Sequence, residues 1–192
     1  VDGLEIQLSG RPIWRGSAFP DTDEARLADI AACYRRVGSE LLDELKGSFA
    51  LAIVDPTRRR ALLAVDRMGI ERLTYASSGN CLFFGTSANA VAKLPGFEKS
   101  LNEQALFNFL FMHMVPAPDT IYQDVSKLPL ATVLEFDDGE ISTRQYWQPN
   151  YDYASPRDFE SLRKKLLQGL DTAVIDSGID EKTGAFLSGG LD

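Results

Sequence analysis

Apolar and polar residues follow one another along the first part of the chain in patterns that predict a strand and then a helix. Residues 4–8 alternate between apolar and polar, which is typical of a strand with one buried face. The turn-forming residues 9–12 follow this strand. Apolar residues then recur at helical spacing between residues 27 and 37, after a polar start at residues 20–23 and before Gly38. The pattern therefore predicts strand, turn and helix in that order.

Two nearly continuous apolar runs come next and predict a hairpin of buried strands. Residues 49–54 and 61–65 carry these runs, and residues 55–58 provide the turn between them. Runs this apolar indicate strands that are covered on both faces. Two shorter strands are predicted at residues 73–75 and 81–84, so the local prediction is a meander of four antiparallel strands.

Helical spacing returns in the middle of the chain. Residues 86–93 and 102–112 are predicted to be helices. The second helix should turn four apolar side chains towards a core, namely Leu106, Phe107, Phe109 and Leu110. The only histidine, His113, stands between two methionines just after this helix, and such an apolar neighbourhood favours a structural role over metal binding.

The last third of the chain predicts one more hairpin and then a new structural unit. Residues 132–136 and 141–146 pair around an Asp-Asp-Gly-Glu turn. The Ser-Pro pair at residues 155–156 suits the cap and first turn of an amphipathic helix, which ends near Gly178. A short apolar strand at residues 184–187 completes the pattern.

Composition and charge narrow the function classes. The 192 residues are 44% apolar and carry a formal net charge of −8, with a pI of about 4.7. A balance this acidic argues against nucleic-acid binding, which requires clustered lysine and arginine. The one basic run, residues 58–60, lies in a predicted turn. No apolar stretch has the length of a bilayer span, so we also expect no membrane partner.

The cysteines and the first residues favour a cytoplasmic location. Cys33 and Cys81 stand far apart, without the spacing of a disulfide framework or a zinc site. The opening residues 1–3 lack the basic and apolar regions of a signal peptide. We therefore expect a reducing compartment and no metal site built from cysteine or histidine.

The clearest chemical signal is an apolar strand that runs into Ser188, Gly189 and Gly190. A glycine pair lets a phosphate approach consecutive backbone N–H groups, and a following helix N-terminus would add positive potential. The Ser188 hydroxyl and the Asp192 carboxylate are suited to hold the phosphate and its magnesium ion. A Ser-Gly-Gly sequence alone is a weak signal, but the preceding helix and strand strengthen it.

Several segments resemble, in the same order, the motifs of the asparagine synthetase family. LSGGLD at residues 187–192 resembles the pyrophosphate loop, usually written SGGLDS. LKGSFALAIVD at residues 45–55 resembles L-x-G-x-F-A-F-A-x-x-D, and LAVDRMGIERLTY at residues 63–75 resembles LARDRFGIKPLYY. FGTSA at residues 84–88 stands where FASE is usual, and the YW pair at residues 146–147 resembles the end of the family's amidotransferase domain.

The resemblance implies a fold and an activity. Residues 1–150 would form a class II glutamine amidotransferase domain, which is an α+β fold, an αββα sandwich of the N-terminal-nucleophile hydrolase type. Residues 151–192 would be the truncated start of an α/β nucleotide-binding synthetase domain. The implied cofactors are ATP and Mg²⁺. The residues implied to bind ATP and its pyrophosphate are Leu187, Ser188, Gly189, Gly190 and Asp192.

The glutamine site departs from the family pattern. The family's N-terminal cysteine nucleophile is absent, since residue 1 is Val1. The family's Asn-Gly-Glu segment, which holds the substrate and the oxyanion, falls at Ser9, Gly10 and Arg11, so that Gly10 is the one glutamine-binding residue retained. The resemblance implies that the first strand of the domain is missing upstream of Val1 under either of two explanations. Either that missing stretch carries the nucleophile, or the glutaminase site is degenerate. We favour the second, because a missing stretch does not explain Ser9 and Arg11, and glutamine is then in doubt as a partner.

The leading hypothesis is therefore a parent protein that is an ATP-dependent amide-forming ligase. It would activate a carboxylate, aspartate or a relative, and join it to ammonia derived from glutamine. The alternatives are an intramolecular amide synthetase that resembles the β-lactam synthetases or lasso-peptide cyclases, and a non-catalytic scaffold domain. We expect the 192 residues alone to be inactive, and a homodimer is the oligomer that we consider.

Overall fold

A computed structural model describes residues 3–14, 23–151, 158–176, 179–186 and 189 of the chain. The chain separates into two compact units, Val1–Pro149 and Asn150–Asp192. The elements of the first unit are, in order, β1 (Glu5–Trp14), α1 (Asp23–Val37), α2 (Leu41–Glu44), β2 (Leu45–Asp55), β3 (Arg60–Val65), β4 (Thr74–Ser78), β5 (Cys81–Gly85), α3 (Ala88–Val91), α4 (Glu103–Met112), β6 (Ser126–Lys127), β7 (Thr132–Asp137) and β8 (Glu140–Gln145). The second unit contains α5 (Phe159–Asp176).

A five-stranded antiparallel sheet in the order β1-β2-β3-β7-β8 forms the centre of the first unit. Alternate side chains of β2 point to opposite faces. Phe49 and Leu51 pack with Ile30 of α1 and Leu42 of α2 on one face, whereas Ala50 joins the apolar cluster on the other. The prediction of strands covered on both faces is confirmed.

A second sheet of three strands, in the order β5-β4-β6, packs on the far face of the first. Leu63 and Leu134 of the large sheet meet Tyr75 and Phe84 of the small one in a shared apolar cluster. The outer face of the small sheet is covered by α3, whose Val91 is buried there. Helix, sheet, sheet and helix thus form four layers, which confirms the α+β sandwich.

The prediction of one four-stranded meander is wrong, because the strands that follow β3 leave its sheet. β3 pairs with β7, with Leu63 opposite Leu134, and β4 pairs with β5 and β6 in the second sheet. The chain changes sheets in the loop at residues 66–73. The two hairpins β2–β3 and β7–β8 form as predicted.

The turn predicted at residues 9–12 is also wrong, because β1 continues through it to Trp14. The pairing with β2 runs without interruption, and Gly10 lies opposite Phe49 while Pro12 lies opposite Gly47. A proline is tolerated here because β1 is an edge strand. Gly10 takes a φ of +94°, which a glycine adopts without strain.

Three of the four α4 side chains that were predicted to face a core do not face one, whereas the fourth, Leu106, is half-buried. Phe107, Phe109 and Leu110 are exposed, and Ala105 is the buried residue of this helix. The physical reason is that α3 and neighbouring aromatic side chains already cover the outer face of the small sheet. His113 ends the helix in the left-handed conformation, and its N–H donates to the Phe109 carbonyl.

The basic run at residues 58–60 is neutralised by carboxylates. Arg58 lies 3.9 Å from Asp55, and the next two arginines pair with consecutive aspartates of the β7–β8 hairpin. These are Arg59 with Asp138, at 2.7 Å, and Arg60 with Asp137, at 2.8 Å. The run therefore links two hairpins at the surface.

In the second unit, α5 begins at Phe159, and the Asp158 carboxylate accepts a hydrogen bond from the Ser161 N–H at 2.9 Å. The predicted cap at Ser155 and Pro156 lies outside the described residues. The strand predicted at residues 184–187 is absent over residues 184–186, because no described strand pairs with it. Among the residues that the structure describes, none of the helices combines the length and hydropathy of a bilayer span.

Candidate functional site

Asp66 organises the loop that follows β3. Its side chain is buried, and its two carboxylate oxygens accept four backbone N–H groups. The donors are Met68 at 3.0 Å, Ile70 at 3.1 Å, Glu71 at 2.9 Å and Phe49 at 3.3 Å. A carboxylate that accepts this many backbone donors holds its loop in one conformation. Asp66 of the motif at residues 63–75 therefore holds this loop in one conformation.

This loop places Glu71 over the motif residues of β1. The Ser9 hydroxyl donates a hydrogen bond to the Glu71 carboxylate at 3.1 Å, across 62 residues of sequence. A methyl group added at Gly10 would overlap the Ser48 carbonyl oxygen and lie 2.9 Å from Glu71 Cγ. At Gly10, β1, β2 and the Glu71 side chain thus approach one another closely, and a larger residue does not fit there.

A cleft of about 290 Å³ opens between the two sheets beside Ser9. It exists because Ala50 and Ala52 carry short side chains that leave room between the sheets. Its lining consists of Gln7, Leu8, Ser9, Ala50, Ala52, Leu73, Phe84, Gly85 and Thr86. A largely apolar wall with a few polar groups is the usual construction of a small-molecule site.

The tip of the Asp66 loop exposes apolar side chains next to this site. Met68 is 70% and Ile70 66% exposed, although both backbones are held by Asp66. Gly69 lies against Leu130, whose Cβ would be 3.1 Å from a methyl group at Gly69. The loop therefore combines a rigid backbone with an apolar outer surface.

Tyr146 and Trp147, the YW pair at the end of the first unit, contact residues of the same loop and of the strand before it. The Tyr146 hydroxyl donates to the Val65 carbonyl at 2.9 Å, and burial raises the pKa of Tyr146 above its ordinary value. The guanidinium of Arg67 lies 5.6 Å from the centre of the Trp147 ring, within the range of a cation–π contact. Both residues of the pair thus contact residues adjacent to Asp66.

A lysine that the sequence did not single out anchors the segment after α4. Lys127 of β6 donates through Nζ to the Val115 carbonyl at 2.5 Å. Burial, and next the nearby Arg72, lower the pKa of the Lys127 ammonium group. This lysine ties the chain after α4 to the small sheet, and its sequence context carries no signal for that role.

Neither cysteine lies in the cleft. Cys33 is buried on α1, where its thiol contacts Glu44 and Arg36, and burial raises its pKa. A thiol of this kind is a packing residue, because thiolate formation is disfavoured. Cys81 is exposed at the start of β5. Val1 lies outside the described residues.

The predicted pyrophosphate-binding residues stay a prediction. Leu187, Ser188, Gly190 and Asp192 lie outside the described residues. Gly189 is described, and a methyl group added to it would meet no atom within 4 Å.

Sequence reasoning named Ser9, Gly10 and Arg11 but missed Glu71, which completes the site. The structure brings Ser9, Gly10 and Glu71 together, whereas the Arg11 side chain is exposed. A signal for Glu71 was present, because glutamate stands where the family motif GIKPLYY carries lysine. The departures at Arg11 and Glu71 are opposite in charge, and the structure places them in adjoining segments.

Comparison with known proteins gives consistent matches. The model of a family described as "Glutamine amidotransferase domain" matches residues 22–147. The putative asparagine synthetase (glutamine-hydrolyzing) 2 of Methanocaldococcus jannaschii is 29% identical over 170 residues, which cover 85% of this chain and 32% of that protein. Asparagine synthetase B (glutamine-hydrolyzing) of Escherichia coli is 29% identical over 165 residues, which cover 85% of this chain and 25% of that protein.

The chain thus spans about a third or less of the length of these relatives. Among solved structures, the glutamine phosphoribosylpyrophosphate amidotransferase from B. subtilis complexed with ADP and GMP is 14% identical to this chain, with a TM-score of 0.45. The match covers 75% of this chain and 30% of the other.

Proposed function

Because the chain belongs to the glutamine amidotransferase domain family, we propose that it is the amidotransferase-type part of a longer, cytoplasmic, ATP-dependent enzyme that forms amide bonds. The two asparagine synthetases that match 85% of the chain support this proposal. Residues 1–150 form the amidotransferase-type domain, and residues 151–192 begin the synthetase domain that takes ATP and Mg²⁺. The substrate is a small carboxylate, aspartate or a relative, which is joined to a nitrogen nucleophile.

We propose further that this amidotransferase-type domain does not hydrolyse glutamine. The observation that carries this proposal is the hydrogen bond from Ser9 to Glu71 at 3.1 Å. Ser9 stands where the family has the asparagine of its oxyanion-binding segment, and its hydroxyl has one proton to donate. That proton is directed to Glu71, whose carboxylate adds a negative charge beside the segment that binds the oxyanion in the family.

The expected cost of this arrangement is large. Loss of one oxyanion-hole donor lowers kcat by about 10²- to 10³-fold, and a like charge nearby opposes the transition state further. During hydrolysis of the glutamine side-chain amide, the oxyanion would form beside the Glu71 carboxylate. The asparagine side-chain amide that would stabilise this oxyanion in the family is replaced by Ser9. The site is therefore suited to binding and not to amide hydrolysis.

A glutaminase assay tests this part of the proposal. Glutamate release from L-glutamine is measured for the chain and for the longer parent, with an active glutamine-hydrolysing asparagine synthetase as positive control. We expect no release above the rate in buffer. Release by the parent at a rate within tenfold of the positive control would contradict the proposal.

Exchange of pyrophosphate into ATP tests the synthetase assignment. The parent is assayed with aspartate and then with a panel of small carboxylates, and we expect carboxylate-dependent exchange. Asp192→Asn should abolish the exchange, whereas Asp171→Asn, an exposed substitution on α5, should leave it unchanged. Absence of exchange with every carboxylate would contradict the ligase proposal and favour a scaffold domain.

A further inference from the structure

Glu71 is a fixed carboxylate with unused capacity to accept hydrogen bonds. Its side chain is half-buried, and the hydroxyl of Ser9 is the donor that contacts it. None of the cationic side chains that the structure describes forms an ion pair with Glu71. A carboxylate accepts about four hydrogen bonds, so most of the acceptor sites of Glu71 have no donor among the residues that the structure describes.

The backbone under Glu71 is held independently of its side chain. The N–H of Glu71 donates to the buried Asp66 at 2.9 Å, as part of the four-donor arrangement that fixes the loop. Gly10 closes the other side, since Glu71 Cγ lies within 2.9 Å of the position of a methyl group there. A carboxylate positioned by packing and by its backbone loses little freedom when a ligand arrives.

The cleft between the sheets adjoins this carboxylate through Ser9. Its volume of about 290 Å³ is that of a small molecule, and its walls at Ala50, Leu73 and Phe84 are apolar. At the Ser9 end, the Glu71 carboxylate and the Ser9 hydroxyl are both acceptors. Gln7 and Thr86 also line the cleft, whereas Glu71 adjoins it through the hydrogen bond with Ser9. A largely apolar space beside a hydroxyl and a negative carboxylate matches a short aliphatic chain with a primary ammonium group.

The two departures from the family motif support the same ligand. The motif carries an acid at the position of Arg11 and lysine at the position of Glu71, and here these charges are exchanged. In the structure, Glu71 of the Asp66 loop lies against Gly10 and accepts a hydrogen bond from Ser9, next to the β1 position where the motif carries its acid. An acid is thus kept beside the cleft, although it comes from a different segment of the chain.

We propose that Glu71, aligned by Ser9, is the specificity-determining residue of the cleft and holds the primary ammonium group of a small aliphatic amine. The amine is either free or the amino group of an amino acid. This inference rests on the proposed function, because it makes the cleft a binding site that does not hydrolyse its ligand.

The test is a titration of the ¹⁵N-labelled chain followed by amide chemical shifts. n-Butylammonium chloride is the probe, sodium butyrate is the matched anion of the same carbon number, and L-glutamine distinguishes a free amine from an amino acid. We expect n-butylammonium to shift the amides of Ser9, Glu71 and Thr86, and butyrate to leave them unchanged. Equal shifts with butyrate, or shifts confined to residues outside the cleft, would overturn the proposal.

Substitutions separate a specific site from a general effect of charge. Glu71→Gln should weaken n-butylammonium binding about tenfold or more, because a charge-assisted hydrogen bond is lost. Glu103→Gln removes the same charge from the start of α4 and should leave the affinity unchanged. Unchanged affinity in Glu71→Gln, or an equal loss in both variants, would show that Glu71 does not select the ligand.

Restoring the motif charges provides a rescue. Glu71→Lys should abolish binding, and the double variant with Arg11→Glu should recover at least part of it, since the acid returns to β1. Well-dispersed amide spectra of both variants exclude unfolding as the cause. No recovery in a folded double variant would contradict the exchange of the acid between segments.

The proposed function is tested by assays other than amine binding. Glutamate release or absence of pyrophosphate exchange would refute the function without affecting amine binding. Absence of amine binding would refute Glu71 as the specificity residue, whatever those two assays show.

Discussion

Strand β2 and helix α4 are both strongly apolar, but they meet opposite surroundings. Phe49 in β2 is 0% exposed, whereas Phe111 in α4 is 77% exposed. β2 lies between β1 and β3 in the large sheet. Its alternate side chains face the helices on one side of this sheet and the second sheet on the other. α4 has one buried residue, Ala105. An apolar run therefore needs other apolar surfaces to pack against, and the arrangement of strands and helices in the fold decides whether it has them.

The largest loss of stability should follow truncation of a buried phenylalanine in β2. Phe49→Ala should lower the free energy of unfolding by about 3–5 kcal/mol, because it removes a buried ring and leaves a cavity. Urea denaturation followed by circular dichroism measures this change. A loss of less than 1 kcal/mol would mean that β2 is not the packed centre of the unit.

The sheet also has buried polar ties, and the strongest of these is Asp66. Asp66→Ala should cost roughly 3 kcal/mol, since several backbone N–H groups lose their acceptor at once. The exposed Asp29→Ala on α1 is the matched control and should change stability by less than about 0.5 kcal/mol. Equal effects in the two variants would show that the loop does not depend on its carboxylate.

A smaller effect is expected at Tyr146, which ties the end of the sheet to β3. Tyr146→Phe should cost about 1 kcal/mol, the usual net value of one hydrogen bond. Because burial raises the pKa of Tyr146 in the folded state, its contribution is complete below the unfolded value of about 10 and declines as pH rises above it. Unfolding measured between pH 8 and 11 should therefore lose stability less steeply in Tyr146→Phe. The same slope in both proteins would contradict burial of this hydroxyl.

The smallest effect completes the comparison. Phe111→Ala in α4 should change the free energy of unfolding by no more than about 0.5 kcal/mol, since it loses little beyond a stacking contact with Phe107, with ring centres 6.2 Å apart. It is measured as for Phe49→Ala. A cost near 3 kcal/mol would mean that α4 is covered in solution, and the difference between the two regions would then disappear.

Much of the local structure could be predicted because it depends on neighbouring residues. The hairpins β2–β3 and β7–β8 join apolar runs through turn-forming residues, and α1 has the spacing and the closing Gly38 of a helix. The turn predicted at residues 9–12 failed for a reason outside its neighbourhood. Each of those residues lies opposite a residue of β2, and pairing with that strand prevails over local turn preference.

The site divides in the same way. Ser9, Gly10 and Arg11 could be recognised from the position of the family's Asn-Gly-Glu motif. The sequence alone also shows that Ser9 and Arg11 differ from that motif. Glu71 could not be joined to them, because 62 residues separate it from Ser9 and no periodicity links a loop to an edge strand. The contact depends on Asp66, which bends the chain back through four backbone hydrogen bonds.

The sequence by itself determined the family, the helical and extended segments and the residues at which the glutamine site departs from its motif. Tertiary structure alone decided that the strands divide between two sheets, that α4 stays exposed and that Glu71 faces Ser9. The physical reason is that periodicity records which side of a segment is apolar, whereas partners are chosen by backbone pairing and by the space between layers. Those choices place the carboxylate beside the cleft.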